Sequence, residues 1–269
     1  MPLVRAGEVE LDYERSGSGP PLLLIMGMSG TSRHWGEPFL DALRPDFELI
    51  TYDHRGVGAS SRLEGAITIS EMADDAVGLL DALELDSAHV LGISMGGMVA
   101  QELALAHPER VRTLALGCTY CGGESSVATP PEVLRRLTEA MTSGDRQLAL
   151  RTAFEINVSA AAAEDADMYA RFQAVAAERQ VAIPVIMAQL QAGLAHDTDA
   201  RLARLEMPTL VVHGTEDQLL PVENGRRIAS LVPGARLEIF DGVGHLFFWE
   251  RPEASAELIR SHAAARASA

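Results

Sequence analysis

The 269-residue sequence contains no lysine, and all 22 of its basic residues are arginine. Lysine is the side chain that forms Schiff bases with carbonyl substrates and that can act as an amine base when its pKa is lowered. Its absence excludes both kinds of catalysis for this chain.

An excess of positive charge is also missing, since the formal net charge is −16. Binding to the phosphates of nucleic acid needs clustered cations, so we expect no nucleic-acid partner. Long apolar runs are absent as well: Leu22–Met28 is far shorter than the roughly 20 residues that span a bilayer. The first 17 residues contain no apolar signal core. We therefore expect a cytoplasmic protein with no membrane association.

Cysteine is scarce, with Cys118 and Cys121 in the segment CTYC as its two occurrences. Such a C-x-x-C pair can be redox-active or half of a zinc site. Zinc needs about four ligands, and no second Cys/His pair stands at a suitable spacing, so we expect no metal. We interpret the two cysteines as small apolar residues in a loop or pocket wall. A redox role is the alternative.

What the sequence does contain is an alternation of short apolar segments and longer helical patterns. Thr68 and Glu71 have the spacing of a capping box, which predicts the start of one helix. Strands that alternate with helices favour an α/β fold, with a mostly parallel sheet and helices on both faces. The opening segment, 7–19, alternates without a helix and predicts a hairpin strand at one edge. The predicted buried strands are 22–26, 47–53, 88–94, 111–117, 208–214 and 235–241.

One region interrupts this alternation. Residues 122–205 contain no convincing strand and show several alanine-rich helical runs. Insertions of this size usually cover a functional site, so we predict a core formed by residues 1–121 and 206–269 and a helical cap formed by residues 122–205. Apolar side chains of the cap that are candidates for pocket walls, or for packing within the cap, are Met141, Phe154, Met168, Phe172, Met187 and Leu190.

The segment GISMGG, residues 92–97, matches the pattern G-x-S-x-G. It lies between a predicted strand and a predicted helix, which is where that pattern presents a nucleophilic serine on a sharp, strained turn. Glycine at positions 92 and 96 lets the turn close tightly because it has no side chain. We therefore predict that Ser94 is a nucleophile above the sheet, at the N-terminus of a helix.

A nucleophilic serine needs a base, and the base needs an orienting carboxylate. In folds with this serine turn, the chain order is serine, acid, histidine. His245 lies in a glycine-containing loop after the last predicted strand, and we predict it as the base. Asp217 follows strand 208–214 by a short loop, and we predict it as the acid. Asp241, close to His245 in the sequence, is the alternative acid.

Acyl transfer also needs donors for the negative oxygen of its tetrahedral intermediate. One donor is the backbone N–H of the residue after the nucleophile, Met95, and the other comes from the loop after the third strand. That loop is MGMSGT, residues 26–31. Its side chains offer no acid–base chemistry apart from Ser29, so we expect the loop to act through its backbone.

With these motifs the sequence resembles the α/β-hydrolase superfamily over nearly its whole length. The segments that carry the resemblance are IMGMSG, YDHRGVGAS, LGISMGGMVAQELALAHPERV, PTLVVHGTEDQLLP and GVGHLFFWERPE. It looks closest to small esterase-like members, including enol-lactonases, perhydrolase-type esterases and methylesterases. The resemblance implies Ser94, Asp217 and His245 as a catalytic triad, and the backbone N–H groups of Met28 and Met95 as the oxyanion hole.

Other positions refine the resemblance. Asp53 and Arg55 match the superfamily turn D-x-R-G-x-G-x-S, which braces loops near the site. Met26 stands where many members have histidine, a change that leaves the N–H donors of the loop intact. Ser94 stands where dehalogenases and epoxide hydrolases of this superfamily have aspartate, so the resemblance implies an acyl-enzyme route.

We therefore expect a serine hydrolase that acts on a small-molecule ester or lactone, without a metal or an organic cofactor. Methionines around the nucleophile favour an apolar acyl or alkyl group, and no arginine stands out as an anchor for an acidic substrate. Thioester or C–C bond hydrolysis, perhydrolysis and ligand binding without turnover stay open, as does the oligomeric state, a homodimer included. Candidate pocket residues are Met26, His34, Cys121, Met187, Leu219 and Leu246.

Overall fold

The computed structural model describes residues 2–178 and 180–264. Its strands are β1 (Leu3–Ala6), β2 (Val9–Gly17), β3 (Pro21–Ile25), β4 (Glu48–Tyr52), β5 (Ala88–Ile93), β6 (Val111–Gly117), β7 (Thr209–Gly214) and β8 (Arg236–Phe240). They form one sheet in the order β1-β2-β4-β3-β5-β6-β7-β8. The pairs β1–β2 and β2–β4 are antiparallel, and all other neighbours are parallel.

The sequence pattern explains these strands. Every residue of β3, β5 and β7 is buried, as expected for the continuous apolar runs of a parallel sheet that is covered on both faces. The predicted α/β fold is confirmed, and each of the six predicted strands ends within one residue of the observed position. The edge hairpin begins earlier than predicted, with β1. That strand was missed because Ala6 is its only buried residue, so its apolar pattern is weak.

Helices cover both faces of the sheet. In the described residues they are α1 (Glu37–Leu43), α2 (Ile69–Ala82), α3 (Met95–Ala106), α4 (Pro131–Thr142), α5 (Arg146–Asn157), α6 (Ala160–Ala163), α7 (Ala166–Glu178), α8 (Ile183–Leu194), α9 (Glu223–Leu231), α10 (Phe247–Glu250) and α11 (Pro252–Ala264). One apolar cluster joins the sheet to α2, α3 and α9, and a second joins it to α1, α10 and α11. The sheet is therefore the middle of three layers.

Local signals set two of the connections. At the start of α2, the Thr68 hydroxyl accepts the Glu71 N–H and the Glu71 carboxylate accepts the Thr68 N–H, so the predicted capping box is formed. In the turn after β4, Arg55 Nε lies 2.6 Å from the Asp75 carboxylate on α2. Asp53 in the same turn accepts the Ser32 N–H at 2.6 Å. This turn thereby ties α2 to the segment that follows β3.

The insertion between β6 and β7 contains α4 to α8, and its described residues form no strand. Phe154, Met168 and Phe172 are buried in the same apolar cluster as α1 and α11, so they pack the insertion onto the core. Met141, Met187 and Leu190 are instead exposed to solvent. Among the described residues, no helix is both long and apolar enough to cross a membrane.

The serine turn brings the backbone of β3, β5 and α3 very close together. A Cβ atom added to Gly96 would lie 2.0 Å from the Ile25 carbonyl oxygen, and one added to Gly92 would lie 2.2 Å from the Gly96 carbonyl oxygen. Both contacts are with backbone, which cannot move aside as a flexible side chain would. The glycines of G-x-S-x-G are thus needed so that α3 can start against the end of β3.

This close approach predicts a difference between two glycine-to-alanine changes. Gly96→Ala should lower the free energy of unfolding by at least about 2 kcal/mol, since the new methyl group collides with backbone. Gly193→Ala in α8 is the matched control, because its added Cβ would come no nearer than 3.7 Å to another atom. It should change stability by about +1 kcal/mol or less, as alanine favours a helix over glycine. Urea denaturation of both variants measures this; equal midpoints would contradict the packing described.

Candidate active site

Ser94 occupies the turn between β5 and α3 in a strained conformation. Its φ is 56° and its ψ is −125°, a region that residues other than glycine rarely adopt and that costs of order 1–3 kcal/mol. The turn is held on both sides: the Ser94 N–H donates to the Gly117 carbonyl at 2.9 Å, and the Thr119 hydroxyl donates to the Ser94 carbonyl at 2.7 Å. The half-buried hydroxyl of Ser94 makes no hydrogen bond within the described residues.

The structure brings Asp217 and His245 together. His245 Nδ1 lies 2.8 Å from Asp217 Oδ2, and both side chains are buried. The other carboxylate oxygen, Oδ1, accepts the N–H groups of Leu219 and Leu220 at 2.9 and 3.0 Å. The loop after β7 therefore folds around its own carboxylate and aims one oxygen at the imidazole.

A second histidine reaches the same carboxylate. His213 Nε2, from the end of β7, lies 3.2 Å from Asp217 Oδ2. Burial alone would raise the pKa of the Asp217 carboxyl. The positive charge of His245 and hydrogen bonds from His213 and His245 outweigh burial and hold that pKa well below its usual range. Asp217 is therefore ionised at neutral pH and able to orient and stabilise a protonated imidazole.

The alternative acid lies elsewhere. Asp241 is exposed, and its Oδ1 accepts the Thr215 hydroxyl at 3.3 Å. Glu216, the neighbour of Asp217, accepts the N–H of Ala160 at 2.9 Å. Of these three carboxylates, Asp217 is the one hydrogen-bonded to His245.

Ser94 and the Asp217–His245 pair lie at the same edge of the sheet, beyond the carboxyl ends of β5, β7 and β8. The end of β6 connects them, because Ser94 bonds to Gly117 and the next residue is Cys118. The Cys118 sulfur and the polar atoms of Asp217 and His245 lie within 4.8 Å of one another.

The loop after β3 packs on the serine. A Cβ atom at Gly27 would lie 3.1 Å from Ser94 Cβ and 3.6 Å from its Oγ, so glycine permits this approach. Within the described residues, the N–H groups of Met28 and Met95 donate to no protein acceptor. Two backbone N–H groups without partners thus lie near Ser94, one in the first residue of α3 and one in this loop.

Sequence reasoning missed one contact of that loop. Gln189, on α8 of the insertion, accepts the Ser29 N–H at 2.9 Å and is almost fully buried. Its Nε2 has no hydrogen-bond partner among the described residues. The pairing joins residues 160 apart. The only signal for it was a glutamine within the apolar run VIMAQLQAGLA.

Three predicted pocket residues lie around these loops. Met26 is buried beneath the loop, where a Cβ at Gly30 would come within 2.6 Å of its Cγ. The His34 ring meets the edge of Phe172 on α7, and burial lowers the pKa of its imidazole. Leu246 is buried, and its N–H donates to the Asn157 carbonyl at the end of α5.

The other three candidates differ in exposure. Met187 on α8 is 46% exposed, and Leu219 is half-buried beside Asp217. Cys121 is buried, and its sulfur lies 3.5 Å from Asp199. Burial raises the pKa of the Cys121 thiol to about 11 and raises that of Cys118 well above its usual value. Both cysteines are therefore thiols at neutral pH, the form that is poor both as a metal ligand and in disulfide exchange.

Comparisons with known proteins agree with this architecture. A family model described as alpha/beta hydrolase fold matches residues 20–252. A protein from Azorhizobium caulinodans, provisionally named carbamate hydrolase RutD, is 32% identical over 267 residues, 96% of this chain and 97% of that protein. A poly(3-hydroxyalkanoate) depolymerase from Ectopseudomonas oleovorans is 33% identical over 89% of this chain and 82% of its own. The crystal structure of the enol-lactonase from Burkholderia xenovorans LB400 has a TM-score of 0.84 at 26% identity, covering 97% of this chain and 99% of that one.

The contacts of the two aspartates predict which of them supports the histidine. Asp217→Asn should slow the reaction of Ser94 with a fluorophosphonate by about 100-fold or more, since the amide neither stabilises an imidazolium nor selects the correct tautomer. Asp241→Asn is the matched control and should react like the wild type. Intact-mass measurement of adduct formation over time gives both rates. Equal rates for the two variants would mean that Asp217 is not the acid.

Proposed function

Because the chain belongs to the alpha/beta hydrolase fold family, we propose that it is a serine hydrolase that cleaves a carboxylic ester or lactone through an acyl-enzyme intermediate. The observation that carries the proposal is the buried hydrogen bond of 2.8 Å between Asp217 and His245, at the same sheet edge as the strained Ser94 turn. A carboxylate, an imidazole and a serine in this arrangement can perform nucleophilic acyl transfer.

In the proposed mechanism, Ser94 Oγ attacks the carbonyl carbon of the substrate while His245 Nε2 takes the hydroxyl proton. The carbonyl electron pair moves onto the oxygen, and the N–H groups of Met28 and Met95 stabilise that negative charge. The intermediate collapses, and His245 returns the proton to the leaving alkoxide. Asp217 stabilises the imidazolium during both transfers.

The second half repeats the first with water. His245 removes a proton from a water molecule, which attacks the acyl-enzyme. When the second intermediate collapses, the bond from the acyl carbon to Ser94 Oγ breaks, His245 returns the proton to Oγ, and the acid leaves. For a lactone the alcohol stays tethered to the acyl group, so a single hydroxy acid leaves. The residues named here account for every proton transfer, and the mechanism needs no metal or cofactor.

We further propose that the insertion, residues 122–205, acts as a cap that excludes water and shapes the pocket. Its support is direct contact with the site loops, through Gln189 and Asn157. The buried methionine Met26 and the partly exposed Met28 favour an apolar substrate group. Soft, unbranched side chains of this type adapt to varied apolar shapes.

A second candidate is carbamate hydrolysis, favoured by the likeness to the protein named RutD over 96% of this chain. The same serine, histidine and donors act on a carbamate carbonyl, with an amine or ammonia as the leaving group. Likeness to the depolymerase and the enol-lactonase favours the ester and lactone instead. Perhydrolysis and C–C bond hydrolysis use the same groups, and a receptor would use the pocket without turnover.

The proposal predicts a single reactive serine. A fluorophosphonate should add once to the wild-type protein, and Ser94→Ala should lose the adduct. The same variant should lower turnover of p-nitrophenyl esters by about 1,000-fold or more, since it removes the nucleophile. Ser29→Ala is the matched control, because Ser29 lies in the neighbouring loop, and it should keep both activities. Intact-mass analysis and absorbance at the p-nitrophenolate band measure the two effects.

A substrate panel separates the candidate reactions. It contains p-nitrophenyl esters of increasing chain length, an aliphatic lactone series and simple carbamates, each compared between wild type and Ser94→Ala. Preference for carbamates would select the second candidate. A wild-type protein that neither labels nor hydrolyses any member would leave only the receptor.

The backbone donor in the loop after β3 makes a separate prediction. Met28→Pro deletes the N–H at that position and should lower kcat by about 100-fold, as the removal of one oxyanion donor does. Met28→Ala keeps the N–H and should retain most of the activity. Steady-state kinetics on one p-nitrophenyl ester, with thermal melting to verify folding, compares the two. Similar losses would mean that the oxyanion is bound elsewhere.

A further inference from the structure

Two histidines share one oxygen of the buried carboxylate. His245 Nδ1 and His213 Nε2 lie 2.8 and 3.2 Å from Asp217 Oδ2. His213 is the penultimate residue of β7, and neither its side chain nor that of Asp217 is exposed. The loop after β7 is already held by the other oxygen of Asp217, Oδ1, which accepts the N–H groups of Leu219 and Leu220. The contact of His213 with Oδ2 is therefore not needed to hold this loop.

The surroundings of the His213 ring fix where its hydrogen lies. Nε2 is 2.7 Å from the Leu220 carbonyl oxygen, which can only accept, so Nε2 carries a hydrogen. The Leu220 carbonyl accepts that hydrogen, and Asp217 Oδ2 lies 3.2 Å from the same nitrogen. Both oxygens lie on the loop after β7. Nδ1 faces α9 and has no partner among the described residues. A Cβ at Gly225 on α9 would lie only 2.5 Å from it.

We propose that His213 is a positioning residue that donates a second hydrogen bond to Asp217 Oδ2. With this bond, His245 stays in its unprotonated, basic form down to a lower pH than it would if Asp217 were bonded to His245 alone. The N–H group of His213 partly neutralises the negative charge on Asp217 Oδ2, the oxygen that is bonded to His245. It therefore weakens the preference of Asp217 for a protonated His245, while it holds the carboxylate in place. The kinetic consequence rests on the proposed function, but the effect on His245 does not.

Other ionisable groups border the pair and stay the same in the variants below. Cys118, after β6, remains a thiol because burial and the charge of Asp217 raise its pKa. Glu250 on α10 accepts the Gly244 and Ser159 N–H groups, and Glu216 accepts that of Ala160. Asp241 binds Thr215. A change in the titration of His245 that appears on replacing His213 alone is thus attributable to the lost donor.

The test compares His213→Leu with His213→Gln. Leucine removes the donor, whereas the glutamine amide can place an N–H near the position of Nε2. His213→Leu should raise the pKa of His245 by about 0.5–1 pH unit, the equivalent of one hydrogen bond. The acidic limb of kcat/KM for p-nitrophenyl butyrate should move to higher pH by the same amount. His213→Gln should restore most of the wild-type value. NMR of the labelled imidazole rings reports the His245 titration directly.

Two further variants separate this effect from general loss of packing. His262→Leu removes another buried histidine, whose Nε2 bonds to the Leu114 carbonyl at 3.0 Å, and should leave the titration of His245 unchanged. Gly225→Ala keeps the His213 side chain but pushes on its ring, and should shift the titration in the same direction by less. If His213→Leu does not fold, Gly225→Ala and His213→Gln carry the test.

The outcomes are distinct. An unmoved His245 titration in His213→Leu, or an equal shift in His213→Gln, would overturn the proposal. So would a kcat/KM profile that falls uniformly at all pH values, because that is the signature of a structural role alone. If the wild type hydrolyses no ester, the NMR titration still tests His213, and only the proposed function fails.

Discussion

The buried charge of Asp217 is the constraint around which the site is built. An ionised carboxylate without water is costly unless it is fully hydrogen-bonded, and this one has donors on both oxygens. Those donors come from its own loop, from the end of β7 and from the loop after β8. The hydrogen bonds that this one charge requires thereby constrain the path of two loops and the direction of the His245 ring. The neighbouring Glu216 points elsewhere, since its longer side chain turns outward and accepts the Ala160 N–H.

A second constraint is steric and is met by glycine. The end of β3 touches α3 at Gly96, and the loop after β3 touches Ser94 at Gly27. Gly244 makes the third such approach, because a Cβ there would lie 2.4 Å from the Val158 backbone. Each contact brings main-chain groups close to Ser94 or to the loop of His245, where a side chain in place of glycine would keep them apart. The strained conformation of Ser94 is held by the hydrogen bonds of its N–H and carbonyl groups to Gly117 and Thr119.

The insertion contacts the loops of the candidate site at several points. It reaches the loop after β3 through Gln189, the loop after β7 through Ala160, and the loop after β8 through Asn157 and Val158. Three of the four segments that carry candidate catalytic groups, all but the Ser94 turn, therefore have contacts to residues 122–205 within the described part of the chain. A movement of the insertion would therefore change the geometry of these loops. At one place the packing leaves a polar atom unsatisfied, since the buried Gln189 Nε2 has no hydrogen-bond partner among the described residues.

Much of this protein can be predicted from the sequence by itself. Apolar segments determined the positions of six of the eight strands to within one residue, because hydrophobic periodicity is a local property. The motifs around Ser94, Asp217 and His245 indicated the chemistry, since chain order and turn glycines are also visible locally. Tertiary structure alone decided which groups meet. The Gln189 contact with Ser29 and the second histidine on Asp217 depend on how loops pack, and Phe154 and Phe172 belong to the core while Met187 is exposed. The sequence pattern does not reveal such contacts, because they depend on distance in space rather than on spacing along the chain. Side chains that are far apart in the sequence share one carboxylate only after the sheet has brought the ends of its strands together.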